Sequence, residues 1–412
     1  MICLETRHFN INRILLLIVG LWPYQRTPFV QFQLLLFFGT LTTFIIFQFT
    51  TFLTSKCTPE LILKVFSTTF FFICLAIKYN SFWINGDIVR SLLEQLQEIC
   101  NELKDENEIA IIEKYGSKAK YYTTVLILFG SFGEFTAIFI QIWPYIQYFV
   151  LPNNGSRVNH SLSIVTEYFI DQEKYFYLSV LHGIAACHVG AIAMVATGSM
   201  LIAYLQHACG MFSIASYRIK HAVNILQKDV KSESKVSKEI IYAVHIHRKA
   251  MELVYIRKKK CNTYDNKYFF HISRVTDFMI SNFEGSFFFL IAVGISCLSL
   301  NLLRVASYSG NIEQIVLPLL IVTILYVYLF LSNYTAQEII DHNEYVFATV
   351  YNVEWYVAPI HIQKMILFLL QRGTKAFYML LGGIFVASLE SAAALMSTSI
   401  SYFTLLYSSK KD

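Results

Sequence analysis

Residues 375 to 408, KAFYMLLGGIFVASLESAAALMSTSISYFTLLYS, make an apolar run long enough to cross a bilayer, with small and hydroxylic side chains threaded through it. At about 100° per residue, Gly383, Ala387, Glu390, Ala394, Thr398, Ser401, Leu405 and Ser408 share one narrow sector of a helix. Phe385, Leu389, Met396, Ile400, Phe403 and Tyr407 occupy the opposite sector. A lone helix in lipid gains nothing from a slim, wettable flank. Two arrangements use one: several copies around an axis, with the stripe on water and Leu405 as an apolar ring that gates by dewetting, or close packing of small residues against neighbouring helices of the same bundle. The pattern alone leaves both open.

Composition sets the broad class. The 412 residues are 55% hydrophobic, 16% aromatic and only 15% charged, and mean hydropathy is +0.49, far from a soluble chain of this length. An all-α, polytopic membrane protein follows, with the lipid bilayer as its first partner. The net charge of +5 implies no nucleic-acid partner, because the location of the positive residues matters more than their sum. The eight cysteines are scattered, with no CxxC and only Cys57 in an outer loop, so no disulfide framework is supported.

Hydropathy divides the chain into seven spans. Ile14 to Leu21, closed by Trp22-Pro23, is too short to cross and predicts an interfacial helix. Spans follow at 32–52, 61–83, 121–149, from Tyr175 past Tyr204, 272–303 and 312–332, and the last is the stretch quoted above. Residues 84–119 have helical periodicity and many charges, which predicts a helical loop outside the lipid. The basic region 228–267 reads as a solvated face or as a contact for anionic lipid headgroups. The chain divides at residue 335: spans one to six with their loops, then a semi-polar stretch and the seventh span.

Orientation follows from Lys and Arg. With the N-terminus inside, the cytoplasmic segments hold 25 of these residues and the outer segments 7, so the N-terminus is expected in the cytoplasm and the C-terminus outside. The glycosylation triplets at Asn154 and Asn159 then fall outside, in agreement. This topology is the inverse of a G-protein-coupled receptor. No Asp-Arg-Tyr follows the third span and no Asn-Pro-x-x-Tyr lies in the seventh.

Gly20-Leu21-Trp22-Pro23, the run from Ala336-Gln337-Glu338 through Tyr351 and Trp355, Ser388-Leu389-Glu390 and the closing Ser401-Tyr402-Phe403-Thr404-Leu405-Leu406 together resemble the insect odorant receptor family. The resemblance implies a ligand-gated, non-selective cation channel. Family members look like tetramers whose seventh helices line one pore, with odorant-specific subunits joined to a common co-receptor through the cytoplasmic parts of helices four to seven. On that pattern Leu405 is the hydrophobic gate and Ser408 lies one turn toward the outer mouth, which favours the pore arrangement of the stripe. Residues 206–268 are shorter than the corresponding co-receptor loop, so the resemblance implies a tuning subunit, placed in the plasma membrane of sensory dendrites. Related gustatory receptors, an alternative, carry a Thr-Tyr followed by apolar residues and Gln-Phe, which is absent.

The resemblance also implies an apolar cavity for a small odorant in the outer half of spans two, three, four and six. The candidates there are Phe66, Phe70 and Ile73; Thr136, Phe139, Ile140 and Trp143; Tyr177, Leu181 and His182; and Leu320 and Ile324. At ~25 cal/mol per Å², burying about 300 Å² of ligand contributes up to roughly 7 kcal/mol before the costs of binding. His182 reads as an interior histidine or a single polar group of the pocket, since no second metal ligand lies at suitable spacing. Glu390 precedes Leu405 by about 22 Å of helix, and either lines an inner vestibule that favours cations or caps a helix contact.

No cofactor or metal site is expected: His245-x-His247 is too sparse for one. Enzyme signatures are missing, with no Gly-x-Ser-x-Gly, phosphate-binding loop or His-Glu-x-x-His. A secondary transporter calls for internal repeats and charges at mid-membrane, and the chain has no evident repeat and few such charges.

Overall fold

The computed structural model describes residues 9–25, 27–150, 164–169, 175–228, 233–254, 267–307, 313–373, 377–381 and 385–411. Two spans open on the same dipeptide. Helices α2 (Pro28–Phe49) and α3 (Pro59–Ile84) each start with proline at the first helical position, where no N–H is missed, after a threonine cap. Thr27 Oγ1 accepts from Val30 N at 3.4 Å and Thr58 Oγ1 from Leu61 N at 3.2 Å. Both helices therefore begin a few residues earlier than hydropathy alone places them.

The short first helix, α1 (Asn10–Ile18), packs one face, with Asn12 and Leu16 buried, against the bundle and leaves Ile14 and Ile18 exposed on the other. The reason is polar. Asn12 Nδ2 donates to Ser199 Oγ at 3.0 Å and to Thr123 Oγ1 at 3.3 Å, and Tyr79 OH donates to the Val19 carbonyl at 3.0 Å. The Gly-Leu-Trp-Pro turn closes α1 by a Schellman motif: Gly20, at φ 73°, donates to Leu17 O and Leu21 donates to Leu16 O. Only glycine adopts that φ without strain. Leu21 and Trp22 are thereby turned into the core.

Helix α4 (Gly86–Glu102) is amphipathic and leads into α5 (Glu106–Val150), which runs from the extramembrane region into the lipid. Helix α6 (Phe176–Lys228) is the axis of the fold and packs on α1, α2, α3, α5, α7 (Glu233–Val254) and α9 (Glu313–Asn352). Buried alanines at 186, 193, 196, 203, 208, 215 and 222 keep it slim, so many neighbours approach closely. Helix α8 (Lys267–Ala306) lies between α3 and α9, and α10 (Ile360–Gly373) packs on α9. By length and hydropathy six of the described helices qualify as spans. The protein is a multi-pass, all-α membrane protein.

The last span differs from the continuous helix that its hydropathy suggests. Leu380-Leu381 pairs antiparallel with Phe385-Val386, and helix α11 (Leu389–Lys411) starts only after this hairpin. Ser388 caps it, its Oγ accepting from Ser391 N at 3.1 Å, while Ser388 N donates to Asn333 Oδ1 at 3.2 Å. Gly383 lies outside the described residues, and Ala387 belongs to the hairpin, with its N–H on Met379 O. The stripe of small and hydroxylic residues on the helix is therefore shorter, beginning at Glu390.

Beyond the spans, the long helices are tied by polar contacts. Glu108 holds Arg218 through both oxygens, one at 2.8 Å from Nη2. Tyr115 OH meets Ser213 Oγ at 2.7 Å and His342 Nε2 at 2.6 Å, Lys118 pairs with Glu338, and His247 Nε2 meets Asn343 Oδ1 at 3.0 Å. Glu108→Gln leaves the Arg218 guanidinium without its counter-charge in a largely dry site, at a cost of about 2–3 kcal/mol. Melting of the detergent-purified protein should fall by several degrees for Glu108→Gln and stay unchanged for Arg90→Gln at the exposed Arg90–Glu94 pair. Equal melting of the two variants would remove the ion pair from the account.

Candidate functional site

A cavity of about 90 Å³ lies between α3, α5, α6 and α9. Its walls are Phe71 and Leu75 from α3; Leu126, Phe129, Gly130, Gly133, Glu134 and Ala137 from α5; Cys187, Ala191, Met194 and Val195 from α6; and Ile324, Val327 and Tyr328 from α9. At roughly 10–15 Å³ per water-sized occupant, the space takes a small organic molecule of about six to nine heavy atoms. Apolar contact dominates, and the one acidic wall residue, Glu134, is engaged by His188 Nδ1.

Small residues open this space. Gly130, Gly133 and Ala137 fall at i, i+3 and i+7 of α5 and so face one way. A Cβ at Gly130 would lie 2.6 Å from Val195 Cγ2, so α5 and α6 approach here as only glycine allows. Past Gly133, where a Cβ would merely touch Ile324 Cδ1 at 3.4 Å, the helices leave a gap. The segment around Glu167 is held at the C-terminal end of α2, with Glu167 N on Phe47 O at 2.8 Å and Thr50 Oγ1 on Glu167 O at 2.6 Å.

The expected ligand residues divide. Ile324 lines the cavity and Leu320 reaches the same Gly133 wall. Phe66 and Phe70 form an aromatic cluster with Phe49 and Phe52 nearer the start of α3, and Ile73 is half-buried without lining the space. Phe139 packs on Trp143 with ring centroids 5.1 Å apart, Thr136 bonds its own helix at Phe132 O, and Ile140 is buried elsewhere along α5. Tyr177 and Leu181, 73% and 62% exposed, face away from the bundle. His182 has both ring nitrogens engaged, Nδ1 with Tyr168 OH at 2.8 Å and Nε2 with Thr43 Oγ1 at 3.1 Å, between the edges of Phe44 and Phe47.

Sequence reading passed over Phe71, Leu75, Met194, Val327 and Tyr328. The available signal was helical phase: Cys187, Ala191, Met194 and Val195 recur at i, i+4, i+7 and i+8, the face of α6 opposite the small face of α5.

On α11, Glu390, Ala394, Ser401, Leu405 and Ser408 are exposed on the surface of the chain and Thr398 is half-buried. Leu405 keeps 62% of its surface. The helix is held by a different face, Ala392, Leu395 and Ser399, which adjoins the bulky sector. Ser299 Oγ of α8 donates to Ser399 O at 3.0 Å, and Tyr326 OH of α9 meets Ser399 Oγ at 3.2 Å. The bulky sector itself is incompletely covered, with Leu389 and Ile400 exposed. Asn154 and Asn159 lie outside the described residues.

The family profile of the 7tm odorant receptors matches residues 58–400. Among solved structures, the insect olfactory receptor OR5 from Machilis hrabei in complex with eugenol is similar, with a TM-score of 0.75, 16% identity and 97% of each chain covered. A second structure of OR5 from Machilis hrabei gives a TM-score of 0.73, with 16% identity and 97% of each chain covered. No curated protein sequence matches. At that identity the structural likeness speaks for the fold, whereas the profile runs from the start of the second span into the last helix, and on that ground the chain belongs to the 7tm odorant receptor family.

Proposed function

We propose that this receptor is an odorant-specific subunit of a ligand-gated, non-selective cation channel, assembled with a co-receptor into a heterotetramer in the plasma membrane of sensory neurons. Its N-terminus is cytoplasmic and its C-terminus extracellular, as the Lys and Arg bias supports. The observation that carries the reading is the state of α11. The helix is gripped at Ser399, yet among the described residues the small, hydroxyl-bearing stripe from Glu390 to Ser408 is exposed except at the half-buried Thr398. Such a flank is costly against lipid and useful against water shared by several subunits.

The ligand is a small, largely apolar odorant in the cavity between α3, α5, α6 and α9. A complex of eugenol with a receptor of this fold supports a small-molecule ligand here. Helix α9 connects the two regions. It presents Ile324, Val327 and Tyr328 to the cavity and, one residue away, Tyr326 to Ser399 of α11. A ligand that fits one of two positions of α9 better than the other shifts their populations, and α11 follows, carrying Leu405 off the axis. Glu390, at the start of α11, forms an acidic ring at the inner vestibule that favours cations. Residues 336–373 and the neighbouring helix ends supply the subunit contacts. The activity is that of a receptor channel rather than an enzyme.

Two variants test this reading in cells that also express an insect co-receptor. Gly133→Leu fills the cavity and should raise the half-maximal odorant concentration at least tenfold with surface expression unchanged. An unaltered response would place the ligand elsewhere. Leu405→Ala removes the apolar constriction and should raise the resting leak current several-fold; a leak equal to wild type would take the gate away from Leu405.

A further inference from the structure

Two wall side chains of the cavity carry oxygen, Glu134 and Tyr328. Tyr328 is hemmed in: Lys78 Nζ lies 2.9 Å from the centroid of its ring, and a Cβ at Gly198 would lie 3.1 Å from Cε2 and 3.5 Å from the hydroxyl. Glu134 stands differently. Gly130, Gly133, Glu134 and Ala137 fall at i, i+3, i+4 and i+7 of α5, so Glu134 rises from the same stripe that makes the room, among residues with little or no side chain to screen it. Its side chain keeps 17% of its surface, whereas that of His188, its partner on α6, keeps 58% and lies at the rim, one residue after the wall residue Cys187.

The pair leaves one oxygen over. His188 Nδ1 engages Glu134 Oε1, and Oε2 has no hydrogen-bond partner among the described residues. A tie between α5 and α6 needs the first oxygen only. A carboxylate offers about four acceptor sites, and inside a span each one left unmet is costly. His188 also fixes the direction of the carboxyl group, so Oε2 is held in one place rather than free to follow water. It belongs to the one acidic residue on walls that are otherwise apolar. An intramembrane ionisable group in that setting marks a functional site.

We infer that Glu134 is the recognition residue of the cavity and selects neutral ligands that carry a hydroxyl group. The ligand O–H donates to Oε2 while Oε1 stays on His188, and the alkyl remainder lies against Phe71, Leu75 and Met194. Such a bond is charge-assisted and stronger than one between neutral groups. An ether of the same size displaces water from the carboxyl group without replacing its hydrogen bond, so it is rejected by the unmet acceptor as well as by its own lost bond. A ligand carboxylate is repelled by like charge. The inference rests on the cavity being the ligand site, and it assigns a chemical preference that apolar walls alone do not set.

The test uses the purified full chain in detergent and reads ligand-induced shifts of its thermal melting. Two isomers serve as probes: 1-hexanol, which donates a hydrogen bond, and 1-methoxypentane, which has the same atoms and only accepts. Wild type should bind the alcohol about tenfold more tightly than the ether. Glu134→Leu, which fills the place of the side chain and removes the acceptor, should abolish that preference and leave the ether within about twofold of wild type. Tyr328→Phe, which removes the other oxygen of the walls and keeps the ring, should retain the preference. Equal affinity of wild type for the two probes overturns the inference, as does an alcohol preference that survives in Glu134→Leu or is lost in Tyr328→Phe. The wild-type and Tyr328→Phe results decide the matter even where Glu134→Leu fails to fold. A loss of both probes alike in Glu134→Leu, with melting of the free protein unchanged, overturns it as well. Alcohol preference in the binding assay without current in cells would sink the channel reading and leave the role of Glu134 standing. No shift with either probe removes the cavity as the ligand site and this inference with it.

Discussion

The last helix is attached to the rest of the receptor along one narrow face that runs from Ser388 to Ser399. The Ser399 carbonyl accepts from Ser299, its hydroxyl meets Tyr326, and Ala392 and Leu395, two turns and one turn before it, are buried because they are small or apolar enough to lie flat on α8 and α9. A narrow attachment has two effects. It leaves most of the circumference of α11 to be covered by other molecules, and it makes the position of α11 depend on α9. Helix α9 is also a wall of the cavity, so one rigid element touches both regions with no intervening loop.

The opposite end of the bundle is built for rigidity. Lys118 and Gln206 both bond Glu338, Tyr115 bridges Ser213 and His342, and Glu108 grips Arg218, so α5, α6 and α9 are cross-linked outside the lipid. Near the cavity the contacts among the same helices are apolar and small. Dispersion contacts slide more easily than buried hydrogen bonds break. In the proposed mechanism, motion on ligand binding is concentrated around Gly130, Gly133 and Tyr328, with the polar end as a fixed base.

Much of this was legible from residues alone, for physical reasons that differ from element to element. Long apolar runs fixed six spans because no other structure hides backbone polar groups in lipid. The seventh is the exception by hydropathy, since Ser397, Thr398, Ser399, Ser401 and Thr404 dilute its apolar character; its sequence pattern identified it instead. The start of α11 was not visible, because Phe377 to Val386 is as greasy as a helix and only the cap at Ser388 and the pairing of Leu380 with Val386 set the boundary. The docking of one face of α1 depended on partners for Asn12 that lie far along the chain, at Thr123 and Ser199. The four helices expected to hold a ligand also line the cavity, but most of the residues expected on them lie off its walls. Ile324 met the space, whereas aromatic residues such as Tyr177 and Phe139 drew attention by size although their faces turn outward. The small faces of α5 and α6, which make the room, carry little signal in hydropathy.

The central claim is that the stripe on α11 faces water in the assembled channel. A cysteine in place of Ser401, in receptor co-expressed with co-receptor, tests it directly through block by a charged, membrane-impermeant thiosulfonate applied while odorant holds the channel open, with wild type as the control for native thiols. The account predicts rapid, irreversible loss of current at Ser401→Cys and no effect at Ala392→Cys on the face packed against α8 and α9. Block at Ala392→Cys with none at Ser401→Cys would contradict it.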